Sequence, residues 1–110
     1  MSPEDKSLVW LHGEIRTPPL SREARLEVGF LLRRLQRGDR LGMPHARTMP
    51  SIGGRCHELR VTDEDQIWRL ILRIDTDAII ILEVFSKKTS QTPQRVINAC
   101  KRRLKLYDSI

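Results

Sequence analysis

Two carboxylates and a set of cations recur in the C-terminal half of this chain, in stretches that read as strands. Glu58 and Arg60 lie in CHELRVT (56–62), Arg69 and Arg73 in IWRLILRI (67–74), and Glu83 and Lys87 at the end of the next apolar run, followed at once by Lys88. A guanidinium can hold a phosphate with two parallel hydrogen bonds and can neutralise charge as it builds in a transition state. A carboxylate beside it can take a proton. This chemistry suits attack on a phosphodiester.

Side chains alternate along a strand, so parity decides which of these residues meet. Trp68, Leu70, Leu72 and Ile74 share one face; Arg69 and Arg73, with Ile67 and Ile71, share the other. Leu59 and Val61 oppose Glu58 and Arg60, and Leu82 and Val84 oppose Glu83 and Lys87. The expected sheet has one apolar face and one face carrying Glu58, Arg60, Arg69, Arg73, Glu83 and Lys87. An ordinary solvent-facing sheet surface has the same pattern. Its Glu–Arg pairs would contribute a few tenths of a kcal/mol each, roughly.

The elements that position these residues follow from period and punctuation. SLVWLH (7–12) reads as a short strand, ended by Arg16-Thr17-Pro18-Pro19. Ser21 is the expected N-cap of a helix to about Arg37, with Ala24, Val28, Leu31, Leu32 and Leu35 on one face and Gly38 as its stop. Residues 38–55 show no sustained period and read as a loop. The turns DEDQ (63–66) and DTDA (75–78) separate three strands as antiparallel hairpins. Thr92 is the expected cap of a last helix that begins at Pro93, with Val96, Ile97, Cys100 and Leu104 as its inner stripe. Neither side of the loop could form a core alone, so residues 1–110 are expected to make one α+β domain.

The formal charge is +6, which favours an anionic partner, with nucleic acid first. From Lys87 to Tyr107 the chain carries Lys87, Lys88, Arg95, Lys101, Arg102, Arg103 and Lys105 and no acid. Cys56 and Cys100 give neither a disulfide framework nor metal spacing. The expectation is therefore a reduced cytoplasmic protein with no metal and no cofactor. The longest apolar run is far below the roughly 20 residues that span a bilayer, so no membrane partner is expected. His12, His45 and His57 show no ligand spacing. Trp10 and Trp68 are expected in the core, and with five aromatics in all a stacking-based single-strand binder has little support.

HELR (57–60), IWRLILRID (67–75) and IIILEVFSKKTSQTPQRVINACKRR (79–103) together resemble the phage-derived, HigB-like branch of the RelE/ParE/HigB toxin superfamily. The most specific part runs from Phe85 to Pro93. Pro44, His45 and Pro50 precede it as the family's loop does. The departures are His57 and Trp68, where the family usually has tyrosines, and the lack of a Tyr or His between Phe85 and Tyr107.

The resemblance implies a RelE-like small domain. Its antiparallel sheet has about four strands, with an N-terminal helix packed on one face and a basic C-terminal helix. It implies a type II toxin with a cognate antitoxin of helix-turn-helix type, acting as a metal-independent endoribonuclease on mRNA at the ribosome. Arg69 matches the family's catalytic arginine, Lys87 and Lys88 its strand-exit cations, and Glu58 loosely its strand carboxylate. The expected catalytic set is Arg69, Glu58, Lys87, Lys88 and Arg73, with Arg60, Arg95, Lys101, Arg102 and Arg103 along the RNA. The alternatives are a non-catalytic ParE-like inhibitor of DNA gyrase and a phage-derived binding protein of the same fold without toxicity.

Overall fold

The computed structural model describes residues 5–87 and 91–110, so Lys88 lies outside it. In chain order the elements are β1 (Ser7–Trp10), α1 (Arg22–Gln36), β2 (Ala46–Thr48), β3 (Cys56–Asp63), β4 (Gln66–Ile74), β5 (Ala78–Lys87) and α2 (Gln94–Asp108). They form a five-stranded sheet in the order β1-β5-β4-β3-β2. β1 runs parallel to β5 and the other pairs are antiparallel. The expected count of about four strands becomes five because β2 lies inside the stretch 38–55. Three residues are too few to show a period, and only pairing with β3 reveals them.

α1 forms as its pattern predicts. Ser21 Oγ accepts from the Ala24 N–H at 3.0 Å, and Val28, Leu31, Leu32 and Leu35 are buried against the sheet. The helix start is also tied to the sheet through Asp63. That carboxylate accepts from the Ser21 N–H at 2.9 Å and from the Trp68 indole N–H at 3.0 Å on the same oxygen, Oδ2. These bonds to the charged form hold the Asp63 carboxyl below its usual range, the Ser21 backbone N–H being the main cause.

The second face of the sheet departs from expectation. It is not an open charged surface but a second core, in which Ile71, Ile80 and Leu82 pack with Val96, Cys100 and Leu104 of α2. The runs in β4 and β5 are apolar on both parities, as strands covered on both faces must be. Leu82 joins this side because of a bulge. The register passes from Ile71↔Glu83 to Leu72↔Ile81, leaving Leu82 as the extra residue. Leu82 and Val84 therefore lie on opposite faces, Val84 packing on the α1 side. Gly13 is required where the chain crosses this strand. Its φ is +88°, and a Cβ would lie 2.8 Å from Val84 Cγ2.

α2 begins without a side-chain cap; Pro93 is its N-cap residue. Thr92 does not cap it, because its hydroxyl is turned inward to Glu58. Trp68 is buried as expected, whereas Trp10 is 41% exposed because β1 is an edge strand that α1 does not cover.

Candidate functional site

Three arginines from three adjacent strands converge on one carboxylate. Arg47 stands opposite Glu58 across the β2–β3 pair, and Arg60 stands opposite Arg69 across β3–β4. Glu58 Oε1 accepts from Arg47 Nε at 3.0 Å and lies 3.7 Å from Arg60 Nε. Glu58 Oε2 accepts from the Thr92 hydroxyl at 3.2 Å and lies 3.6 Å from Arg69 Nη1. The Glu58 and Arg69 side chains are fully buried, while those of Arg60 and Arg47 are 20% and 33% exposed. The cluster is thus layered, with Arg69 inside and Arg47 and Arg60 facing out.

The three guanidiniums and one carboxylate leave this cluster with two more positive charges than negative. Burial lowers the Arg69 pKa, with Arg60 and Arg47 acting in the same direction against Glu58. Arginine stays charged regardless. A buried excess of positive charge attracts an anion, and a forked guanidinium matches phosphate geometry.

Lys87 sits one pleat beyond Phe85, which pairs with Arg69. With Gln91, Thr92, Pro93 and Gln94 it lines a shallow pocket of about 230 Å³. Thr92 is common to this pocket and to the Glu58 cluster, so the strand-exit cation and the arginines are neighbours across one residue. Arg95 is exposed on the first turn of α2.

Other expected residues go elsewhere. Arg73 lies four residues along β4 from Arg69, about 13 Å. It is held bidentately by Asp108 at 2.8 Å and by Asp75 at 2.8 and 3.0 Å. Those hydrogen bonds, Asp108's first, raise its pKa well above the ordinary value. Arg103 donates to the Leu82 carbonyl at 2.7 Å and to Glu83 at 3.2 Å, clamping α2 to the bulge. Lys101 and Arg102 are exposed further along α2. Burial pushes the Cys100 thiol up to about 12 and raises that of Cys56, so both are neutral packing residues.

Sequence reasoning missed Arg47 and Thr92. Arg47 belongs to a strand too short to show, and Thr92 carried a stronger local signal as a helix cap.

A mostly antiparallel five-stranded sheet between an N-terminal and a C-terminal helix is an α+β architecture of the RelE-like type. A family model described as "Phage derived protein Gp49-like (DUF891)" matches residues 18–105. The chain belongs to that family, the phage-derived HigB-like toxin family of the RelE superfamily. Such toxins are paired with an antitoxin. No curated protein and no solved structure matches the chain. Among the described residues no helix is long and apolar enough to cross a membrane.

Proposed function

We propose that this toxin is a ribosome-dependent endoribonuclease that cuts mRNA by attack of the substrate's own 2′-OH. The carrying observation is the convergence of Arg47, Arg60 and Arg69 on Glu58. The scissile phosphate docks on the outer pair, Arg47 and Arg60, and takes over the charge that Glu58 now satisfies. Arg69 beneath them stabilises the charge that grows on the non-bridging oxygens, an interaction strengthened by its dry surroundings.

Arg47 turning to the phosphate frees Glu58 Oε1 to accept the 2′-OH proton. The O2′–P bond forms and the P–O5′ bond breaks. Lys87, with Lys88, steadies the backbone and supplies the proton to the leaving 5′ oxygen. The products are a 2′,3′-cyclic phosphate and a 5′-OH. The ribosome places the nucleotide, so free RNA is a poor substrate. Arg95, Lys101 and Arg102 extend the positive track along α2. Arg73 and Arg103 serve the packing of that helix.

The complete burial of Arg69 favours one rival, in which the cluster is structural and the chain binds DNA gyrase without catalysis. Induction of the toxin separates the two. Under the proposed reading protein synthesis stops first, and primer extension maps new 5′ ends to ribosome-bound mRNA. If DNA replication stops first and mRNA stays intact, the nuclease reading is wrong.

A further inference from the structure

The Glu58 cluster does not end at its arginines. A second pocket, of about 280 Å³, adjoins it and is lined by Glu27, Pro44, His45, Arg60, Thr62 and Ile67. Arg60 belongs to both. Thr62 keeps the parity of Glu58 and Arg60, and Ile67, which pairs with Thr62, keeps that of Arg69. The pocket therefore opens on the face of the sheet that carries the arginines. His45 stands just before β2, its carbonyl accepting from the Arg60 N–H at 2.8 Å. Glu27 comes from α1, and its Oε1 lies 3.9 Å from His45 Nδ1, both side chains being about half exposed. Arg60 Nε is buried and has no hydrogen-bond partner among the described residues; at 3.7 Å it is too far from Glu58 for one.

This lining is poorly suited to another phosphate and well suited to a base. A carboxylate repels phosphate, and no lysine or arginine of the described residues forms an ion pair with Glu27. Unstacked RNA bases are read by hydrogen bonds to their edges and by contact with their faces. An ionised carboxylate only accepts, at two oxygens. Guanine is the RNA base whose Watson–Crick edge sets two donors side by side, N1–H and N2–H, to match such a pair. Adenine and cytosine set a donor beside an acceptor, and uracil sets a donor between two acceptors. Pro44 and Ile67 offer apolar contact to the ring, and the Thr62 hydroxyl is a further polar group. The volume is below the roughly 300–1,000 Å³ of sites for drug-sized ligands, and suits one base rather than a whole nucleotide.

We propose that this pocket is a nucleobase subsite, in which Glu27 selects guanine on a nucleotide flanking the scissile phosphate. Arg60 holds that phosphate at the mouth of the subsite, so the base seated there sets where the chain is cut. His45 positions the Glu27 carboxylate. The assignment rests on the endoribonuclease reading above. It adds a preference that resides in the toxin itself, beyond the ribosome's placement of the nucleotide.

The test uses the purified full chain and ribosomes programmed with mRNAs that carry each of the four bases in turn on either side of the cut. Cut positions are mapped and kcat/KM is measured for each base. The parent prefers guanine at one flanking position by about ten-fold or more, the discrimination that a two-bond base contact gives. Glu27→Gln, which replaces one acceptor oxygen by a donor, cuts guanine sites about ten-fold less efficiently, and the mapped cuts move toward other bases. His45→Ala narrows the preference by a smaller factor. Thr62→Phe fills the pocket and leaves cuts without base preference at that position. Glu23→Gln, on the same helix but outside the pocket, keeps the parental pattern. All four substitutions replace exposed side chains, so each variant unfolds near the parental temperature.

If the parent cuts no ribosome-bound mRNA, the endoribonuclease reading fails and the subsite fails with it. If the parent cuts mRNA, and Glu27→Gln and Thr62→Phe keep its cut positions and base preference, the subsite alone is overturned. A fall in kcat that is equal at every base, with the cuts unmoved, would also overturn base recognition and give Glu27 and His45 to the proton chemistry instead.

Discussion

Glu58 Oε2 lies 3.6 Å from Arg69 Nη1, and neither side chain is exposed to solvent. An isolated charge at either position would be costly to bury; together, with Arg47, Arg60 and Thr92, they form a paired but overall positive site. Removing Arg69 therefore changes both stability and chemistry. Arg69→Ala is expected to lose about 3–5 kcal/mol of stability and about 10²–10³-fold in cleavage. Arg69→Lys restores much of the stability but little of the activity, because an ammonium lacks the fork. Thermal unfolding and cut mapping on the same samples check this. Full cleavage by Arg69→Lys would remove the guanidinium from the mechanism.

Thr92 joins the start of α2 to Glu58 through one hydrogen bond. Thr92→Val keeps the shape and deletes the donor. The expected result is a loss of about 1–2 kcal/mol and a fall in kcat of roughly ten-fold with KM little changed. Unchanged kcat would make Thr92 a packing residue only.

Arg73 is held by Asp75 and Asp108 and stands apart from the cluster. Arg73→Gln is expected to lower the Tm by loosening the end of α2, while protein that remains folded cleaves at the parental rate. A folded Arg73→Gln protein as inactive as Arg69→Ala would put Arg73 back in the site.

Asp63 supplies a pH dependence whose sign is set by its lowered pKa. A carboxyl depressed in the folded state stabilises fully above its unfolded pKa of about 4 and loses that contribution as the pH falls through the lower, folded value. The parent's stability should therefore drop steeply on acidification, while Asp63→Asn is weaker at neutral pH with a flatter profile below pH 4. Emission of Trp68, whose indole donates to Asp63, reports the change. Parallel profiles would exclude Asp63 as a source of the acid sensitivity.

Lys87 ends β5 and Lys88 follows it in the sequence, and a cation tracking a phosphate backbone acts without base specificity. The double change to alanine should weaken ribosome association at every sequence alike and reduce cleavage without moving the cut positions. Retained binding with suppressed cleavage would instead single out a proton-transfer lysine.

The sequence by itself determined α1, four of the five strands and the inner stripe of α2, because each is a local pattern long enough to be read. It also placed Glu58, Arg60, Arg69 and Arg73 on one face, since parity within a strand needs no knowledge of its neighbours. Its charge run and the stretch from Phe85 to Pro93 carried the family. The tertiary structure alone decided that this face is covered, because burial depends on where α2 returns to pack, and that return is not local. It alone added Arg47, whose strand exists only as the partner of β3. It separated Arg73 from Arg69 by giving one to Asp108 and the other to Glu58, acids 50 residues apart in the chain. The bulge at Leu82 reversed a parity that simple alternation had fixed. In each case the deciding interaction joins residues distant in sequence, where no periodicity reaches.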